Sequence, residues 1–256
     1  MSLELIEILM PAFCAGILVL STHVILGIQV LKRGIIFMDL AIAQVAAIGI
    51  IIFHSFDDLL ILPWGQYWMP ALLALSSAYL IGKFEKRLAH ELEAIIGCVY
   101  VLAAVIAILL IAKNPHGGEL LKTVLTGNIL WVSWSQLILP SIITIFVFML
   151  IKLKPSMLSR SGFYLIFALV VTSSLELVGV YLVFSSLIFP ALATNNLKQN
   201  LRIPVGLAIG IIGYLLGLSL STVWDLPSGA TIVLSIAVSS IVLRLISIKS
   251  TQSESC

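Results

Sequence analysis

Eight stretches of this 256-residue chain run for 17 to 29 residues without one charged side chain: Ile8–Leu31, Leu40–Phe56, Leu59–Gly82, Ala94–Ala112, Thr123–Ile151, Leu177–Leu197, Ile203–Trp224 and Leu226–Leu243. Ser161–Leu175 is a shorter ninth. A helix crossing a bilayer needs about 20 such residues. Backbone inside lipid must satisfy its own hydrogen bonds, and the alternating ten-residue strands of a barrel are absent from the sequence. The chain is therefore expected to be all-α, a single polytopic transmembrane helical bundle over residues 1–256. Composition excludes the soluble alternative, because 61% hydrophobic and 10% charged residues, with a mean hydropathy of +1.18, leave too little polar surface for a water-soluble globule.

The basic residues orient the bundle. Of the 14 Lys and Arg, all but Lys113 and Lys122 fall into short clusters: Lys32/Arg33, Lys83/Lys86/Arg87, Lys152/Lys154/Arg160, Lys198/Arg202 and Arg244/Lys249. The positive-inside rule places each cluster on the cytoplasmic side, so an even number of crossings must separate consecutive ones. That holds only if Gly162–Asn196 crosses twice. Its 35 residues reach about 52 Å as helix, enough for two short spans folded near Gly179. About nine spans follow, with eight as the alternative if the segment crosses once. The N-terminus is then extracytoplasmic and the C-terminus cytoplasmic. Residues 1–10 carry Glu4 and Glu7 and no basic run, so the first apolar stretch is read as a retained span and not a cleaved signal.

Polar residues in apolar surroundings are the candidate site. Glu176 is the only acid in Gly162–Asn196, and an ionisable group there must face a cavity, a partner or a break in its helix. His23 lies in the middle of the first run and can offer a neutral imidazole to a metal, while Gln29 and Gln44 can hydrogen-bond between helices. Interhelical bonding is the plainer reading of all three. Asp39 lies six residues beyond Arg33, where a capping or interfacial role is the default. On the outer side, Pro115-His116-Gly117-Gly118 breaks the chain ahead of a surface helix expected over Glu119–Leu130, with His116 at its start. On the inner side, the basic segment Lys152–Arg160 is either an anchor or a dock for a cytosolic partner. Gly206, Gly210, Gly213 and Gly217 form small-xxx-small pairs that permit close helix packing.

Several functional classes fail. His90-Glu91-Leu-Glu93-Ala94 lacks the second histidine of a zinc-protease helix, and neither a nucleophile elbow nor a Walker phosphate loop is present, so ATP hydrolysis would need a separate subunit. Three cysteines, Cys14, Cys98 and Cys256, have no disulfide or thiolate-cluster spacing. Dispersed basic residues and a net charge of +2 argue against a nucleic-acid surface.

Four stretches carry a family resemblance: Val30–Gly49, Thr126-Gly-Asn-Ile-Leu-Trp-Val-Ser133, Val178–Thr194 and Asp225–Leu234. In that order they resemble the permease subunit of metal-uptake ABC transporters for zinc, manganese or iron. The resemblance implies a homodimeric permease in a bacterial cytoplasmic (inner) membrane, two copies of a cytosolic ATPase, and a periplasmic or extracellular metal-binding protein. It implies a divalent metal as cargo, zinc first, with no permanently bound cofactor. It also implies that Lys154, Pro155, Ser156, Met157, Leu158, Ser159 and Arg160 couple the permease to the ATPase. The family's Gly-Asp-x-x-x-His pattern is altered: aligned through Val45–Gly49, Gln44 stands for the histidine, Leu40 for the aspartate, and Asp39 for the glycine. Asp39 is then about 100° around the helix from the family position. A weakly binding pathway is ranked first, ahead of a compensating site from Glu176 with His23 or a changed substrate, because conduction needs ligands that release their ion. The rival classes are an autonomous proton-coupled carrier using Glu176 and a non-transporting membrane scaffold.

Overall fold

The computed structural model describes residues 3–55, 64–85, 88, 90–112, 114–154 and 162–253, without the side chains of 3–6 and 248–253. Its helices are α1 (Leu3–Arg33), α2 (Met38–Ser55), α3 (Gly65–Glu85), α4 (Leu92–Ile111), α5 (Gly117–Thr126), α6 (Ile138–Leu153), α7 (Gly162–Ala193), α8 (Gln199–Trp224) and α9 (Ser228–Ser253). Short 3-10 turns at Ile129–Trp131 and Trp134–Leu137 lead into α6. There is no strand among the described residues. Seven described helical segments are long and apolar enough to cross a membrane. The chain is a multi-pass helical membrane protein.

Two expectations change at this level. The charge-free run Thr123–Ile151 is not one helix: α5 ends at Thr126, Gly127 turns with φ 69° and ψ 172°, and α6 starts only at Ile138. The absence of charge says nothing about a backbone reversal that only glycine adopts cheaply. The surface helix expected over Glu119–Leu130 consequently runs from Gly117 to Thr126 instead. The expected break at Gly179 is present, with φ 76° and ψ 166° inside α7. Three hydroxyls ahead of it bond back to their own helix: Thr172 to the Ala168 carbonyl at 2.7 Å, and Ser173 and Ser174 to that of Val170, each at 2.9 Å. Such back-bonding satisfies the hydroxyls without a neighbouring helix and favours bending.

The chain divides into two compact units. The first contains residues 1–33, 128–137 and 181–256. In it α8 packs on α9 and on α1, and the Ile129–Trp131 turn packs on α1. In lipid, helices gain little from leaving their surroundings, so packing rests on close van der Waals approach across small residues. The four glycines of α8 serve two neighbours: a Cβ at Gly206 or Gly210 would press on Val24 or Leu20 of α1, and one at Gly213 or Gly217 on Ile236 or Ile232 of α9. Gly27 of α1 likewise sits against the Leu187 carbonyl.

The second unit contains residues 34–127 and 138–180. Its centre is α2, which packs against α3, α4 and α5 and buries Ala41, Ile42, Ala43, Ala46 and Ala47. Gly49 meets α3 at Pro70, where a Cβ would lie 2.8 Å from the proline nitrogen. The apolar side of α5 closes this packing, with Leu120 and Leu121 against Ile51, Ala107 and Ile111.

Candidate metal pathway

Within the second unit, the most constrained feature is a crossing of two backbones. A Cβ at Gly127 would meet the Val178 carbonyl and lie 2.6 Å from the Gly179 nitrogen; one at Gly179 would meet the Gly127 nitrogen and lie 2.6 Å from the Thr126 carbonyl carbon. Both glycines have positive φ, so each is required twice, for its conformation and for the space. The contact joins the end of α5 to the break in α7.

Glu176 lies three residues before that break. It is exposed, although Leu175, Leu177 and Val178 beside it are buried. The surrounding span is otherwise free of Asp, Glu, Lys, Arg and His from Gly162 to Ala193, so the carboxyl is the one group on that helix that carries charge near neutral pH. Contact with hydrocarbon is strongly unfavourable for such a group, whereas a water-filled path or a protein partner accommodates it.

Asp39 and Gln44 both lie on α2, at its first turn and one and a half turns on. Asp39 is 1% exposed and sits in the first turn of α2, the capping place the sequence allows, although neither carboxylate oxygen makes a well-formed hydrogen bond among the described residues. The start of a helix, with free N–H groups and positive dipole, is the one end that favours such a carboxylate. Gln44 is buried as well. Five positions separate them, about 140° around the helix, so they do not share one face.

His23 belongs to the first unit. It is fully buried in α1, and its Nδ1 lies 2.8 Å from the Val19 carbonyl. A carbonyl only accepts, so Nδ1 carries the proton and, in the neutral ring, Nε2 holds the lone pair. That Nε2 is buried and has no hydrogen-bond partner among the described residues. Here interhelical bonding, the plainer expectation, gives way to a bond within the helix. His116 is at the N-cap position of α5, as the sequence implies, and is solvent-exposed with Glu119, 3.9 Å away, as its ionic neighbour.

Among the described residues no three His, Cys, Asp or Glu side chains come close enough to hold one metal ion. The donors that can meet a cation are mainly oxygens: Glu176, Asp39 and the Gln44 amide, with the His23 imidazole in the other unit. Lys154 is exposed just beyond α6, with its backbone N–H bonded to the Leu150 carbonyl at 2.8 Å. The rest of the expected coupling segment, Pro155–Arg160, lies outside the described residues. Gly127 is the functional position the sequence left unmarked; its signal is the glycine of the Thr126-Gly-Asn motif, which both the positive φ and the backbone contact require.

Comparison with known proteins comes to the same class. The model of the ABC 3 transport family matches residues 5–163 and 153–247. The manganese transport system membrane protein MntC of Halalkalibacterium halodurans is 28% identical over 250 residues, covering 88% of this chain and 82% of its own. A Haemophilus influenzae protein named "Probable iron transport system membrane protein" is 30% identical over 138 residues, 45% of this chain and 51% of its own. In structure, the chain resembles one from PsaBC of Streptococcus pneumoniae in complex with Fab, with a TM-score of 0.73 and 19% identity over 93% of this chain and 91% of that one.

Proposed function

From the premise that this chain belongs to the ABC 3 transport family, we propose that it is the membrane-spanning subunit of an importer that carries a divalent metal ion into the cytoplasm, powered by a separate ATPase. The observation that carries this reading is the family match along nearly the whole chain, joined to a helix whose single exposed acid lies beside a glycine-locked break. The assembly would be a homodimer of this chain with two ATPase copies, loaded by an extracytoplasmic metal-binding protein. Lys154 and the residues through Arg160 would meet the ATPase.

Manganese is the preferred cargo, ahead of iron and of the zinc expected from sequence. Relatives named for manganese and iron support this order. So does the chemistry, because carboxylate and amide oxygens suit manganese better than zinc, which favours nitrogen and sulfur. Glu176 would be the principal pathway residue, with Asp39, Gln44 and His23 as further polar points that bind only weakly. Weak binding is an advantage in a path that must release its ion.

Nine crossings remain the preferred count, with the N-terminus outside. Helix α3 is 21 residues long, although less apolar than the seven candidate spans, and the break at Gly179 divides α7 into two helical halves; together these would take seven candidate spans to nine. The test of function is ATP-driven uptake into vesicles containing this chain and its ATPase, supplied with manganese, ferrous iron and zinc in separate assays. Uptake only with ATP, and largest for manganese, is expected. Gradient-driven transport by the chain alone would establish the secondary-carrier reading instead.

A further inference from the structure

In the first unit, between the C-terminal half of α7 and the middle of α9, lies a cavity of about 190 Å³. Its walls are apolar, formed chiefly by Phe189 and Leu192 from α7 and Ile241 and Leu245 from α9. Two groups break that apolar lining. Ser240 is 5% exposed, and its Oγ is buried without a hydrogen-bond partner among the described residues, unlike the neighbouring Ser239 hydroxyl, which bonds to the Ser235 carbonyl at 2.8 Å. Arg244 stands one helical turn beyond Ser240, and among the described residues its guanidinium makes one long contact, 3.5 Å from Nη1 to the Leu192 carbonyl. A guanidinium has five N–H donors, so that contact leaves most of its fork available.

We infer that this groove holds one acyl chain of an anionic phospholipid, with Arg244 on the lipid phosphate and the Ser240 hydroxyl on an ester carbonyl. The volume is below the roughly 300 Å³ at which pockets for compact small molecules begin, and takes the glycerol-proximal stretch of one hydrocarbon chain, the rest of which would lie in the bilayer. A buried hydroxyl left without a partner is unfavourable in an apolar wall, and an ester oxygen would complete it. Arg meets phosphate in a bidentate, charge-assisted geometry that a lone carboxylate-free pocket rim leaves open. No acid among the described residues lines the cavity, so nothing described there favours the ammonium of a zwitterionic headgroup, and an anionic lipid is preferred. Arg244 also lies toward the end of a candidate span, Ser228–Ser247, the depth at which a lipid phosphate sits. This inference uses only the chain's membrane location and is independent of the cargo.

The test is lipid retention by the full-length protein in nanodiscs of equal phosphatidylglycerol and phosphatidylethanolamine, read by native mass spectrometry after mild detergent release. Wild type is expected to retain phosphatidylglycerol. Arg244→Gln should lower that retention roughly tenfold, the scale of one charge-assisted hydrogen bond, and Ala237→Phe, which fills the groove, should abolish it. Added glycerol phosphate, which has no acyl chain, should fail to compete. Equal retention of both lipids, or full retention of phosphatidylglycerol by both variants, would overturn the site. Protection by a second copy would overturn it too, seen as chain-to-chain crosslinking through Leu245→Cys in place of lipid binding.

Discussion

Glycine does two different jobs in the two units of this molecule. In the first, Gly206, Gly210, Gly213 and Gly217 sit in regular helix and simply let α8 lie close to its neighbours. In the second, Gly127 and Gly179 leave helical geometry altogether, with φ of 69° and 76°, and their backbones touch. A regular glycine contact can yield when the opposing atom ends a flexible side chain. A backbone crossing between two positive-φ residues has nothing that can yield. The difference separates glycines needed for space alone from glycines needed for space and conformation together, and the second kind lies beside Glu176.

Substitutions can break or sharpen that contrast. The largest effect is expected at the crossing: Gly179→Ala and Gly127→Ala combine a strained conformation with backbone overlap and should each destabilise by about 2–5 kcal/mol. Thermal unfolding in detergent would register this as a markedly lowered Tm or loss of folded yield. A near-native Tm for either variant would mean that the crossing is not rigid. Next comes Gly213→Ala, whose Cβ would lie 2.8 Å from the Cα of Ile236; about 1–3 kcal/mol is expected, because α9 as a whole must shift. Gly206→Ala should be milder, about 1 kcal/mol or less, since its close neighbour is a side-chain carbon, Cγ1 of Val24, at 2.8 Å. If Gly206→Ala proved as damaging as Gly179→Ala, the distinction between adjustable and fixed contacts would collapse. The smallest effect belongs to His116→Ala: an exposed histidine with an exposed ionic neighbour should change metal uptake by less than about twofold.

Much of this architecture is legible in the sequence because membrane spans announce themselves as absences of charge. The break at Gly179 followed from counting basic clusters, since two short crossings of Gly162–Asn196 need a reversal somewhere and glycine is the natural place. His116 at the head of a helix followed from the Pro-His-Gly-Gly punctuation. Backbone conformation was the hidden part. The charge count ran straight through Gly127 and joined Thr123–Ile151 into one segment, where the structure has a helix end, two 3-10 turns and a new helix.

The site was legible as a set of residues and not as an arrangement. Glu176 stood out because it is expensive in lipid, and the structure adds that it is exposed and adjoins the locked break. Asp39, close in sequence to Arg33, was open to a capping or an interfacial role, and the structure places it in the first turn of α2, buried within its unit. The sequence does not report that burial. His23 looked like a donor between helices, and its Nδ1 bond to Val19 shows that its own helix takes that role.

The most direct test of the central claim compares wild type with Glu176→Gln in vesicles that contain this chain, its ATPase and a metal-loaded binding protein, following ATP-driven manganese uptake. The substitution keeps the shape and removes the charge. Uptake should fall at least roughly tenfold, the scale of one lost charge-assisted interaction with the ion, while assembly and ATPase binding stay intact. Undiminished uptake by the assembled variant would contradict the claim that Glu176 lies on the path of the metal.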